Sequence, residues 1–172
     1  MTISAYEASV GVFVPYLHNL SGLLDRASAY ARTRNFDPAV LLGMRLFPNM
    51  YSLRQQVGEA NRHAVACCAL LAGHEPLRFS DIEPDTDELK LRIAATIDFV
   101  QSLPRAAIDE GGDKEVVFTF KSGTQRAFTG RSLLLSFSMP QFFFHVTTAY
   151  DILRHAGVDL VKKDFLGPPR QP

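Results

Sequence analysis

Apolar residues recur in alternating steps of three and four from Ile3 through Tyr6, Val10, Phe13, Leu17, Leu20, Leu24 and Ala27 to Ala31, which places them on one face of a helix. The stripe predicts a first helix of about 30 residues. Pro15 lies inside it, lacks a backbone donor and presses its ring on the preceding turn, so a kink is expected over residues 11–15. Asp37-Pro38 then supplies an N-cap and a residue suited to the first helical position, giving a short helical turn through Leu42 that Gly43 stops.

A second stripe starts after Pro48 and runs through Met50, Leu53, Val57, Ala60, Ala64, Cys67 and Leu71 to Gly73, where a left-handed cap costs least. After a polar loop, the acidic run Asp85-Thr86-Asp87-Glu88 suits a helix N-terminus, and Leu89, Ile93, Ile97, Val100 and Leu103 carry a third stripe to Pro104. Beyond Gly111-Gly112 the period falls to two. Val116, Phe118 and Phe120 alternate with polar or smaller neighbours, Ser122-Gly123-Thr124 makes a turn, and Gln125 to Phe128 forms a return strand. A fourth helix is predicted from Arg131 to His155, with Pro140 inside it and Gly157 ending it; the tail, residues 158–172, should be extended. Four amphipathic helices that cannot bury their stripes alone are satisfied by mutual packing. The predicted architecture is mainly α, a four-helix bundle in one domain spanning residues 1–172, with a small β-hairpin between helices three and four.

Composition removes several function classes. The 18 basic and 18 acidic residues leave no excess positive charge for a phosphate backbone, so no nucleic-acid partner is expected. The longest apolar run, residues 64–73, is too short for a bilayer, and the N-terminus lacks the pattern of a signal peptide, so no membrane partner and a cytoplasmic location are expected. Cys67 and Cys68 are sequence neighbours about 100° apart on a helix, which suits small core residues better than a disulfide or a redox pair.

The residue that most needs a partner is His145, set among Phe142, Phe143, Phe144 and Val146 and in register with Phe142, Ala149 and Ile152. Burying an unpaired imidazole costs on the order of 1 to 3 kcal/mol. Its plainest reading is a core histidine hydrogen-bonded to Tyr6, Tyr16, Tyr51 or a backbone carbonyl; a metal ligand and an acid/base group are the alternatives. His63 flanks the second stripe and reads as a solvated position, with Glu59 and Arg62 as surface charge. Phe142, Phe143 and Phe144 together span about 200° of a helix, too wide for one internal face, so at least one should meet another element, a ligand or a second subunit.

Three segments carry a resemblance: PNMYSLRQQV at the start of the second helix, the hairpin VVFTFKSGTQRAFTG, and FFFHVTTAYDILRHAGVDLVKKDFLG at the C-terminal side. They resemble the bacterial family catalogued as domain of unknown function nineteen ninety-three, in the DinB-like bundle superfamily. The resemblance implies a DinB-like four-helix bundle, often a homodimer. It also implies a divalent metal held by one histidine on helix two and two histidines four apart on helix four, and in some relatives a hydrolase or a thiol-dependent transferase.

Carried over by residue, the metal set is incomplete. His145 matches the first ligand of helix four, but the position four later is Ala149, and His155 lies about 15 Å along the axis from His145. On helix two, Glu59 and His63 could complete a nonstandard set with His145, or Gln56 could occupy the ligand height and leave no adequate site. The leading expectation is a homodimeric binding or structural protein with a degenerate metal site and no cofactor, with Phe142, Phe143, Phe144 and Tyr150 as ligand or dimer contacts and a hydrophobic small molecule as a possible partner. The alternative is a hydrolase or thiol-linked transferase using Zn or Ni around His145.

Overall fold

A computed structural model describes residues 3–80 and 83–169. Its organising element is α4 (Leu53–Ala72), which is buried on nearly every side rather than along one stripe. Small side chains explain how. Gly58, Ala60, Ala64, Cys67, Cys68 and Ala69 let neighbours approach α4 from several directions, so α8 (Met139–His155), α5 (Thr86–Ser102), α2 (Val10–Thr33) and α6 (Arg105–Gly111) all pack on it. Gln55 Oε1 accepts from Ser52 N at 2.9 Å at the head of α4, and Gly73 ends it in the left-handed conformation, φ 72°, as the sequence predicted. Asp85 Oδ1 accepts from both Asp87 N and Glu88 N at 2.9 Å to start α5. Both cysteines are free and buried, and burial pushes the Cys67 thiol up to about 12, so they serve as core.

Four local expectations need correcting. The first helix breaks at Ser9, not over residues 11–15: α1 (Ala5–Ala8) ends there, Ser9 Oγ donates to Ala5 O at 2.6 Å, and α2 starts afresh at Val10. Pro15 then falls in the second turn of α2, and the intrahelical bond it cannot make is the one to Gly11 O, close to the start of the helix. Pro104 ends α5 but also opens a further helix, α6, which the sequence reading missed. The fourth helix is not uniform: α7 (Gly130–Ser132) runs into a π-helical segment, Leu133–Ser138, and then α8, whose second residue is Pro140. The wider π turn accommodates the missing Pro140 donor without ending the helix. The tail is extended only in part, because α9 (Lys162–Leu166) packs on α2, with Phe165 5.5 Å from Tyr16 and Asn19 Nδ2 donating to Phe165 O at 2.9 Å. Residues 170–172, its predicted tip, lie outside the described residues.

The hairpin pairs β1 (Glu115–Thr119) with β2 (Gln125–Thr129), antiparallel, in the register Glu115 to Thr129 through Thr119 to Gln125. Its apolar face meets the π-helical segment: Phe137 lies 5.0 Å from Phe118, 5.7 Å from Phe120 and 5.2 Å from Phe128. Docked there, the hairpin covers the flank of α4 that carries Glu59 and His63. No helix among the described residues is long and apolar enough to cross a membrane.

Candidate metal centre

The face of α4 that carries Gln56, Glu59 and His63 meets α8 at His145. His145, on α8, is buried, and its Nδ1 lies 2.7 Å from Gln56 Oε1. Gln56 Nε2 donates to Tyr51 O at 3.1 Å, which fixes the amide with its oxygen toward the ring. His145 therefore donates from Nδ1 and keeps a lone pair on Nε2, the arrangement that an outer hydrogen bond gives a metal-ligating histidine. The partner foreseen among Tyr6, Tyr16, Tyr51 or a carbonyl is Gln56 instead; the Tyr51 ring stacks on His145 at 6.3 Å.

Glu59 and His63 are not surface residues. They are 4% and 2% exposed, one turn apart on the face of α4 toward His145, and the His63 and His145 rings lie 5.8 Å apart, tilted by 17°. One donor atom from each of Glu59, His63 and His145 falls within 4.8 Å of the other two. The resemblance places an i,i+4 ligand pair on the fourth helix and a single ligand on the second. Here the two candidate donors one turn apart, Glu59 and His63, are on α4 and the third, His145, is on α8, while Ala149 is packed in the core. The flank reading failed because the cover comes from Phe118, stacked 6.1 Å from His63, and Phe137, edge-on at 5.5 Å, both remote in sequence.

The charges around the cluster are specific. Glu59 Oε2 pairs with Arg62 at 2.7 Å and Oε1 with Lys121 at 2.6 Å. Burial alone would raise the Glu59 pKa, but hydrogen bonds and charge from Arg62 and Lys121 outweigh it and hold the carboxyl below its ordinary range. Burial drives His63 down to about 3, helped by the Arg62 and His145 charges against that of Glu59. Burial likewise lowers His145 to about 4, opposed by Glu59 and reinforced by Arg62 and Lys121. Both imidazoles are thus neutral near pH 7 and need lose no proton to ligate. Lys121 was missed by sequence reasoning, since a lysine at a hairpin turn carries no pattern that ties it to a helix 62 residues earlier.

The other candidates separate. Phe142 is fully buried against Phe13 at 4.8 Å, Phe143 meets the Tyr16 ring edge at 4.8 Å, and Tyr150 packs on Phe165 at 5.9 Å, all within this chain. Phe144 alone of the three phenylalanines is largely exposed, at 53%, with its edge on His145 at 5.4 Å. A cavity of about 550 Å³ lies away from these rings, between Leu70, Phe79, Val117 and the cations Arg62, Arg78 and Lys121. A smaller cleft of about 110 Å³ reaches Glu59 itself between Tyr51, Arg54 and Lys121.

Residues 5–166 match the family described as Domain of unknown function (DUF1993). The chain belongs to this family. The DUF1993 chain is also similar to a crystal structure of a DinB family member protein from Shewanella denitrificans, with 32% sequence identity, a TM-score of 0.87, and coverage of 97% of this chain and 95% of that one. The DinB-like bundle read from the sequence is therefore the fold of this DUF1993 protein. No curated protein matches it.

Proposed function

We propose that this protein is a DinB-like bundle with a nonstandard divalent-metal site at Glu59, His63 and His145. The observation that carries this reading is the convergence of one donor atom each from Glu59, His63 and His145 within 4.8 Å of one another, all three residues being buried. Arg62 Nη2 also lies 3.4 Å from His63 Nε2, so the same guanidinium borders both the carboxylate and the ring, and a bound cation would add a partner to a cluster of buried donors. The donor set, two neutral imidazoles and one carboxylate, would suit zinc or nickel, and a cation held there would supply Lewis-acid chemistry of the hydrolytic kind. The chain's own residues do the preparation. Gln56 orients His145, burial keeps both rings unprotonated, and Arg62 fixes Glu59 from one side. The ammonium and guanidinium on Glu59 leave the cluster with net positive charge before any metal arrives, so the site should bind more weakly than an all-histidine one.

Tag-free protein reconstituted with Zn²⁺ and measured by calorimetry and elemental analysis should take up one ion per chain. His63→Ala and His145→Ala should each weaken binding by about 100-fold or more, since each removes one of three ligands. Reconstituted protein without stoichiometric metal would sink the reading.

A second reading, a homodimer, is favoured by Phe144 and Tyr51, 53% and 46% exposed, which both lie against the His145 ring and so present an aromatic surface at the mouth of the site. Sedimentation should then show a dimer for the native chain and mostly monomer for Phe144→Ser. An unchanged sedimentation coefficient in that variant means Phe144 lies outside any interface.

A further inference from the structure

We infer that Lys121 is the resident cation of the Glu59 site, holding the carboxylate in place of a divalent ion and giving it up only when the turn of the β-hairpin moves away. This rests on the metal reading above and adds what controls it. Both carboxylate oxygens of Glu59 are taken: Oε2 by Arg62 and Oε1 by Lys121, at 2.7 and 2.6 Å. A metal needs one of them.

The two cations are not equally able to leave. Arg62 sits one turn from Glu59 on the same helix, donates to it through Nε at 2.8 Å, and stacks its guanidinium 5.5 Å over the Phe118 ring. Its side chain is 26% exposed. Lys121 lies in the hairpin turn beside Ser122 and Gly123, two residues past the end of β1; its side chain is 50% exposed, and it borders both the cleft at Glu59 and the cavity of about 550 Å³. The turn that carries Lys121 can lift into that space while Phe118 and Phe120 stay docked on Phe137. Lys121 and a divalent ion therefore compete for one oxygen, and whatever holds the turn down also keeps metal out. By reciprocity, metal in the site loosens the turn by the same factor as the turn weakens the metal.

The competition reads out directly in the intact chain. Calorimetric titration with Zn²⁺ should show Lys121→Met binding about tenfold or more tighter than the native protein, because a unit charge at ion-pair distance from Glu59 has been removed. In the native protein, without any variant, saturating Zn²⁺ should speed amide hydrogen exchange over residues 120–125 and leave exchange in α4 unchanged or slower. Native protein that binds Zn²⁺ as tightly as Lys121→Met, or a turn whose exchange does not respond to Zn²⁺, overturns the role of Lys121 while the metal reading stands. Absence of Zn²⁺ binding in both proteins overturns the metal reading and this inference with it.

Discussion

Gly111→Ala should destabilise the protein by about 3 kcal/mol or more, a fall of roughly 6 to 12 °C in melting temperature for a chain of this size. A Cβ built on Gly111 meets the Leu71 carbonyl oxygen at 1.9 Å and its carbon at 2.7 Å, so the obstacle is backbone and no side chain can turn aside. The same contact repeats one step on, where a Cβ on Gly130 would meet the Gly111 oxygen at 2.1 Å. The end of α4, the end of α6 and the exit of the hairpin are thus stacked at backbone distance. Gly130 N donating to Lys114 O at 2.9 Å ties the hairpin base to the same place. A shift here moves the hairpin, and with it Phe118 and Lys121 over the candidate site, so Zn²⁺ affinity should change along with stability. Gly22→Ala in the middle of α2 is the control: nothing lies within 4 Å of its added Cβ, and the variant should gain up to about 1 kcal/mol from helix propensity. Urea midpoints for the two variants settle it; Gly111→Ala as stable as the native chain would refute the close stacking.

What the sequence made legible was the part of the fold that repeats. Val57, Ala60, Ala64, Cys67 and Leu71 carry the α4 period whatever packs on them, and the period-two run around Phe118 marks the hairpin. Local breaks were harder to read. Pro15 is visible in the sequence, but the chain relieves it upstream at Ser9, and Pro104 both ends one helix and begins another. The site itself was half legible. Glu59, His63 and His145 could be named as a possible set from the family resemblance together with their spacing, yet their burial depends on a hairpin that arrives from a distant part of the chain. Without that cover His63 and Glu59 look like any solvated flank. Lys121 had no signal at all, since its meaning lies wholly in the tertiary contact with Glu59. Ala149 shows the converse: the sequence marked it as the place where a ligand is lacking, but could not show that the imidazole of His63 lies beside that of His145.

Acid should unfold this protein early, because His63 and His145 are held neutral. Their folded values, about 3 and about 4, lie below the ordinary 6.5, so below pH 6.5 the unfolded chain takes up protons that the folded chain refuses. The sign follows: these rings leave stability intact above pH 6.5 and erode it as the pH falls from there toward their folded values. At about 1.4 kcal/mol per unit for each ring, the loss between pH 7.5 and pH 5 amounts to roughly 2 to 4 kcal/mol. Glu59, whose carboxyl is also lowered, adds its own loss only below about pH 4.5, so the two contributions separate along the pH axis. Urea midpoints at pH 7.5 and 5 should therefore differ markedly in the native chain and much less in a His63→Leu, His145→Gln variant, which replaces both rings by groups that do not titrate. Equal pH sensitivity in the two proteins would place the acid response elsewhere. Saturating Zn²⁺ should steepen the same profile, since protons compete with the metal for both ring nitrogens, and that increment should vanish in the double variant.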